Sequence, residues 1–468
     1  MIDIITTCFY LTIFFFLLKK TLYFSVPHIK RSFIYSAFAL KILATLFLLY
    51  TYTYYYPIKN ESDIYKYFND GHKLFRLLFK NPELFYHFIT ETANKAELTS
   101  LSAIKYWVKP NSYGIFNDNK TIIVTNLILE FFSFGKIITQ SVLISCISFI
   151  SIFSIFKTLS PLIPEKNQLL FFILLVCAPS LLLWTSGLLK ETLILISISG
   201  IIINGIGLFL KGFSIKKSIY LSLFLMGLFI SKPYYLFLLL PVVIYLLCYK
   251  YLIKKRPFTS LIVTYSILIL VTFSYIKFKS NQLDDYVKDQ KKENTEFKRN
   301  SFIYDQNALG NDYNLLEMLR CKQSEYILEA KRLNAKSTFE IKKLNSTLSE
   351  LGLCLIINFP NALFRPYLSE INSIFILLSS LENWIFILLL IASFTSRKKI
   401  TEDQFALILA AIIFALSILL FLGLLIPVTG NMVRYKTVIY PFTLFIICMK
   451  IDIPSILHRC KLIVAKND

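Results

Sequence analysis

Long apolar runs separated by short basic loops repeat along this chain. No other feature limits its fold as strongly, because a run that crosses a hydrocarbon core must satisfy its own backbone there. The runs are Ile4 to Leu18, Phe33 to Tyr55, Ile137 to Phe156, Gln168 to Trp184, Leu188 to Leu210, Ile219 to Ile230, Tyr234 to Tyr249, Phe258 to Ile276, Ile371 to Phe394, Gln404 to Leu424 and Thr437 to Met449. They predict an all-α polytopic membrane protein with about 11 transmembrane helices. Residues are 56% apolar and only 17% charged, against about 25% charged in an ordinary soluble domain. A soluble fold is excluded on that ground.

A net charge of +21 would suggest nucleic acid in a soluble protein. Here the bases fall in alternate loops: Lys19, Lys20, Lys30 and Arg31; Lys157 and Lys166; Lys211, Lys216 and Lys217; Lys250, Lys254, Lys255 and Arg256; Arg397, Lys398 and Lys399; then the C-terminal tail. That pattern assigns those loops to the cytoplasm, with the N-terminus outside and the C-terminus cytoplasmic, and it leaves no nucleic-acid partner. The first run lacks a basic n-region and a cleavage site, so it reads as a retained span. The same parity puts two long polar loops outside, 57–120 and 277–370, within a single membrane domain, 1–468.

In the second loop, Gln282 to Arg299 is a mixed-charge run. Glu317 to Leu333 and Thr338 to Leu355 have helical periodicity, with a stop expected at Asn358-Phe359-Pro360. Ile122 to Phe134, which contains Glu130, reads as an interfacial helix. The short runs Ile219 to Ile230 and Tyr234 to Tyr249 meet at Ser231-Lys232-Pro233. Either they form a re-entrant hairpin with Lys232 in a water-filled cavity, or the bilayer thins and Lys232 snorkels. The eight cysteines show no paired metal spacing. Only Cys321 and Cys354 fall in a long polar loop, and sequence leaves their pairing open.

After the aromatic girdle Tyr54-Tyr55-Tyr56 comes Asp63, and then the turn signal Asn69-Asp70-Gly71. An unbroken helix would set Asp63 and Asp70 on one face. The alternative is that Asp63 caps a helix and Asp70 serves a turn. Parity brings Asp63, Asp70, His72 and His87 to the same side as Lys190, Glu191, Lys232, Arg365, Asn431, Arg434 and Lys436. Carboxylates can take a proton from a hydroxyl, and Arg or Lys can hold phosphate oxygens; each base alone also fits an interfacial anchor. Lys41, Glu130 and Glu382 lie inside apolar stretches, where ionisable groups are paired or functional. The chain has no Gly-rich phosphate loop and no nucleophile elbow, which argues against soluble nucleotide chemistry.

An acidic residue in an early external loop, many spans, a large late external loop and bases near external helix ends resemble the GT-C membrane glycosyltransferases. The related envelope polysaccharide polymerases and O-antigen ligases share that plan. Asp63 in Asp63-Ile64-Tyr65-Lys66-Tyr67-Phe68 matches the position of the GT-C catalytic acid. Leu363-Phe364-Arg365-Pro366 and Asn431 to Phe442 are similar to segments of such bacterial envelope proteins. The acid follows the second span instead of the first, and the adjacent acidic pair of some members is absent. A divalent metal requirement and the particular family therefore stay open.

The resemblance implies a bacterial inner-membrane enzyme that transfers a sugar from a polyprenyl-phosphate or polyprenyl-diphosphate carrier to a glycan or lipid acceptor at the outer face. Asp63 would be the base, with Asp70 the other candidate, and Arg434 with Arg365 or Lys232 would hold the leaving phosphate. A repeat-unit polymerase or ligase, and a transporter or flippase of envelope glycans, are the rival expectations.

Overall fold

The computed structural model describes residues 2–55, 59–90, 103–107, 118–253, 256–268, 315–332, 337–344, 348–394 and 400–452, with single positions at 92, 94, 97, 101, 270 and 335. In chain order the helices are α1 (Ile2–Lys20), α2 (Arg31–Tyr50), α3 (Asp63–Lys80), α4 (Pro82–Ile89), α5 (Asn119–Ser133), α6 (Ile137–Leu159), α7 (Glu165–Cys177), α8 (Pro179–Trp184) and α9 (Lys190–Lys211). They continue with α10 (Ile215–Ser231), α11 (Pro233–Leu247), α12 (Pro257–Leu268), α13 (Leu315–Arg332), α14 (Leu348–Phe364), α15 (Ile374–Phe394), α16 (Glu402–Leu425), α17 (Thr429–Lys436) and α18 (Tyr440–Lys450). Among the described residues the only β contact is an isolated bridge from Thr338 to Val428.

Among the described residues, seven helices are long and apolar enough to cross a membrane: Arg31–Tyr54, Ile137–Leu162, Lys190–Lys211, Pro233–Leu252, Ile374–Phe394, Glu402–Leu425 and Thr429–Lys450. The chain is a multi-pass membrane protein. The other expected spans take different forms. α1 is a continuous apolar helix with Asp3 in its first turn and Lys19 and Lys20 in its last. The run Gln168 to Trp184 breaks into α7 and α8 because Pro179 has no N–H to donate and holds Ala178 out of the helical region, at ψ 110°. α10 has 17 residues, about 26 Å at the helical rise, and so is longer than the expected run Ile219 to Ile230. α12 covers the start of the run from Phe258, whose remainder lies outside the described residues. So do Gln282 to Arg299, the basic residues 254–255 and 397–399, and the tail beyond Asp452.

Apolar surface alone gives membrane helices no reason to associate; close backbone approach and hydrogen bonds do. α6 packs on α1, α2 and α9, with Thr139 hydrogen-bonded to Thr7 (3.0 Å) and Thr45 donating to Ser145 (2.8 Å). α16 is the second hub, where buried Ala406, Ala410 and Ala411 allow α11, α14 and α18 to approach.

Two local signals were overridden by such packing. α3 runs straight through Asn69-Asp70-Gly71, so the expected turn is absent. Gly71 is there for close approach, since a Cβ on it would lie 2.6 Å from the Asn126 Cβ of α5. α14 likewise continues through Pro360 to Phe364 and packs along α16, which corrects the helix stop expected at Asn358. Residues 338–344, expected as helix, form none: Thr338 makes the isolated bridge to Val428 and the rest is irregular. Asn358 bonds both backbone groups of Lys342 (2.9 and 3.0 Å), and Gln323 accepts the Leu344 N–H (2.7 Å). Cys321 and Cys354 are free thiols.

Candidate functional site

The centre of the site is Arg434. Its helix α17 is entered through a clasp in which Phe339 N–H donates to Pro427 (2.9 Å) and Thr429 N–H to Ser337 (2.9 Å). Arg434 Nη1 donates to Asp63 Oδ2 at 2.6 Å, and Nη2 lies 2.8 Å from Glu191 Oε2. Asp63 is the first residue of α3, after the N-cap Ser62, and Glu191 stands in the first turn of α9. Each carboxylate thus also faces the positive end of its own helix. Lys232, at the junction of α10 and α11, completes the group: its amine is 3.4 Å from Glu191 Oε1 and 3.6 Å from the Tyr435 ring centroid. Lys190 joins from α9 and pairs with Asp118 at 2.9 Å while donating to Asn119 at 2.6 Å.

Burial separates the two carboxylates. Asp63 is 33% exposed and Glu191 only 1%. For Asp63, burial pulls the carboxyl upward, but the charge and hydrogen bond of Arg434, with Lys66 and Lys190 beyond, prevail and hold it below the ordinary range. Lys232 moves the other way: burial outweighs the attraction of Glu191 and lowers its amine to about 7. Aromatic rings enclose the cluster. Arg434 lies 5.7 Å from the Trp184 ring and Lys190 5.3 Å from that of Tyr67, and α13 brings Tyr326 into hydrogen bonding with Tyr435.

Of the residues expected from sequence, Asp63, Lys190, Glu191, Lys232 and Arg434 converge. Asn431 shares a face of α17 with Arg434, three residues away. The others do separate work. Asp70 is fully buried away from Arg434 and accepts hydrogen bonds from the Tyr106 N–H (2.7 Å) and Lys73 Nζ (3.1 Å). Arg365 pairs with Glu370, accepts no place beside Asp63, and spreads over the Phe339 ring at 4.0 Å. Lys436 donates to the Arg365 carbonyl (2.7 Å) and to Asn383 (3.3 Å). His72 pairs with Glu130 (3.0 Å) and His87 with Glu97 (2.9 Å). Sequence reasoning missed Asp118, whose only signal was an acid directly before the apolar α5.

Lys41 and Glu382, expected as an ion pair or functional groups, instead hold the broken α8 at its two ends. Glu382 accepts the Ser180 N–H (3.0 Å) and its hydroxyl, while Lys41 donates to Thr185 O (2.9 Å) and Oγ1 (2.7 Å). An anion at the amino end and a cation at the carboxyl end suit the helix dipole and satisfy backbone groups inside the bundle. The segment they hold leads into Trp184 and Glu191.

Among the described residues no group of three or more His, Cys, Asp or Glu side chains gathers as metal ligands. Asp63 and Glu191 are bridged by a guanidinium instead, an arrangement that does not fit a divalent ion. The chain matches no family model, no curated protein and no solved structure. What the cluster offers chemically is one accessible carboxylate, a fixed guanidinium and an amine that changes charge near neutrality.

Proposed function

We propose that the chain is a membrane glycosyltransferase of the bacterial inner membrane, acting at the outer face on a sugar carried by polyprenyl phosphate or diphosphate. The eleven-span topology, with both ends placed by loop charge, belongs to this reading. The observation that carries it is the meeting of Asp63, Glu191, Lys232 and Arg434 from separate helices at shared helix ends, with Asp63 the accessible member. In the transfer, Asp63 accepts the proton of the acceptor hydroxyl as its oxygen bonds to the sugar's anomeric carbon. The bond from that carbon to the carrier phosphate oxygen breaks, and Arg434 with Lys232 balances the charge left on the phosphate. The same chemistry serves a polymerase joining repeat units or a ligase.

A transporter of envelope glycans is the second reading, favoured by the broken helix α7–α8 and by the buried Lys41 of α2 and Glu382 of α15 that bond to it. Purified full-length chain in vesicles, supplied with a polyprenyl-diphosphate oligosaccharide and an acceptor, separates the two. The transferase reading expects release of the sugar-free carrier. Movement of intact lipid-linked sugar across the vesicle without carrier release contradicts it.

A further inference from the structure

Arg434 is already engaged on both sides. A guanidinium presents five N–H donors in a planar fork. Here Nη1 holds Asp63, Nη2 faces Glu191, and the buried Nε–H has no acceptor among the described residues. An unmet buried N–H is costly, and it marks where an incoming oxygen would be welcome. The two carboxylates differ in how readily they can be given up. Glu191 is 1% exposed and stays beside Lys232, so stripping its partner would strand a buried charge. Asp63 is one-third exposed and can return to water at little cost.

We propose that the site binds a phosphate oxyanion by exchange: the ligand engages Arg434 and displaces Asp63, so that the contact between Asp63 and Arg434 is a latch which the substrate itself opens. The ligand class rests on the transferase reading; the latch rests on the geometry of Arg434. Exchange would also solve a problem in that reading. A carboxylate held by a guanidinium is a poor proton acceptor, and losing Arg434 to the phosphate removes the charge that weakens it as a base. The base is thus freed only when the leaving group is in place.

The test turns on sign. Full-length protein in detergent micelles is titrated with inorganic diphosphate, and protein in vesicles is assayed against polyprenyl phosphate incorporated in a neutral lipid. Wild type, Asp63→Asn, Arg434→Lys and the double variant are compared, with thermal melting of each recorded. Removing a competing carboxylate should tighten binding by about tenfold in Asp63→Asn. The lysine at 434 should weaken binding by about the same factor, and the gain from Asp63→Asn should vanish in the double variant. Tightening toward diphosphate alone assigns the site to a soluble anion, and tightening toward the lipid assigns it to the carrier; either supports exchange. Unchanged or weaker binding by a well-folded Asp63→Asn overturns it, as does equal tightening without the guanidinium. Binding is read without any transfer. A chain that shows the exchange yet transfers nothing sinks the enzyme reading alone, and one that transfers normally while Asp63→Asn binds no tighter sinks the exchange alone.

Discussion

Replacing Arg434 with Met removes the cation but keeps much of the volume, and the consequence can be worked from burial. Glu191 would keep only Lys232, at 3.4 Å, while Asp63, one-third exposed, could rehydrate. Breaking a buried pair from one side costs about 3–5 kcal/mol; the exposed Asp63 adds little, so about 3 kcal/mol is expected. At about 2 °C per kcal/mol for a large chain, the melting temperature should fall by roughly 6 °C. A second substitution, Glu191→Gln, removes the stranded charge and should recover about 2 kcal/mol of that loss, a coupling within the range for contacting residues. Tryptophan-fluorescence melting of the purified protein in detergent, for both single variants and the double, measures it. A double variant whose loss equals the sum of the two singles would refute the contact between these residues.

Gly71→Ala should destabilise by about 1–3 kcal/mol, because the added Cβ would meet the Asn126 Cβ at 2.6 Å and the α5 backbone at 3.0 and 3.1 Å, which outweighs the gain in helix propensity; melting equal to wild type would contradict it. Lys41→Met leaves the carbonyl of Thr185 and its hydroxyl without their donor, so it should lower the melting temperature of the purified protein; an unchanged melting temperature would refute it. The pH dependence follows from Lys232. Its folded pKa of about 7 lies below the unfolded value of about 10.4, so the unfolded chain binds more protons between them and stability should rise with pH across that window. Melting of wild type should therefore increase from pH 7 to 9 more than that of Lys232→Met, and equal slopes would contradict it.

The membrane spans with strong apolar runs were legible because their length and loop charge are local properties. Packing decisions were not. Asn69-Asp70-Gly71 reads as a turn until α5 lies against Gly71, and Pro360 reads as a stop until α14 packs against α16. The break at Ala178 was hidden inside one apolar run, since Lys41 and Glu382, which satisfy its ends, are distant in sequence. Loop charge put Asp63, Glu191, Lys232 and Arg434, which do meet, on one side, but it could not tell Arg434, which faces Asp63, from Arg365, which turns to its neighbour Glu370. That distinction rests on where α14 ends relative to α17, and no charge count carries it.

The most direct measurement is transfer by Asp63→Asn against Asp70→Asn, purified and matched for folded protein. An amide at 63 cannot take the acceptor's proton, so transfer should fall by about a hundredfold to ten-thousandfold. An amide at 70 can still accept the Tyr106 N–H, and transfer should stay near wild type. Wild-type transfer by Asp63→Asn would contradict the account.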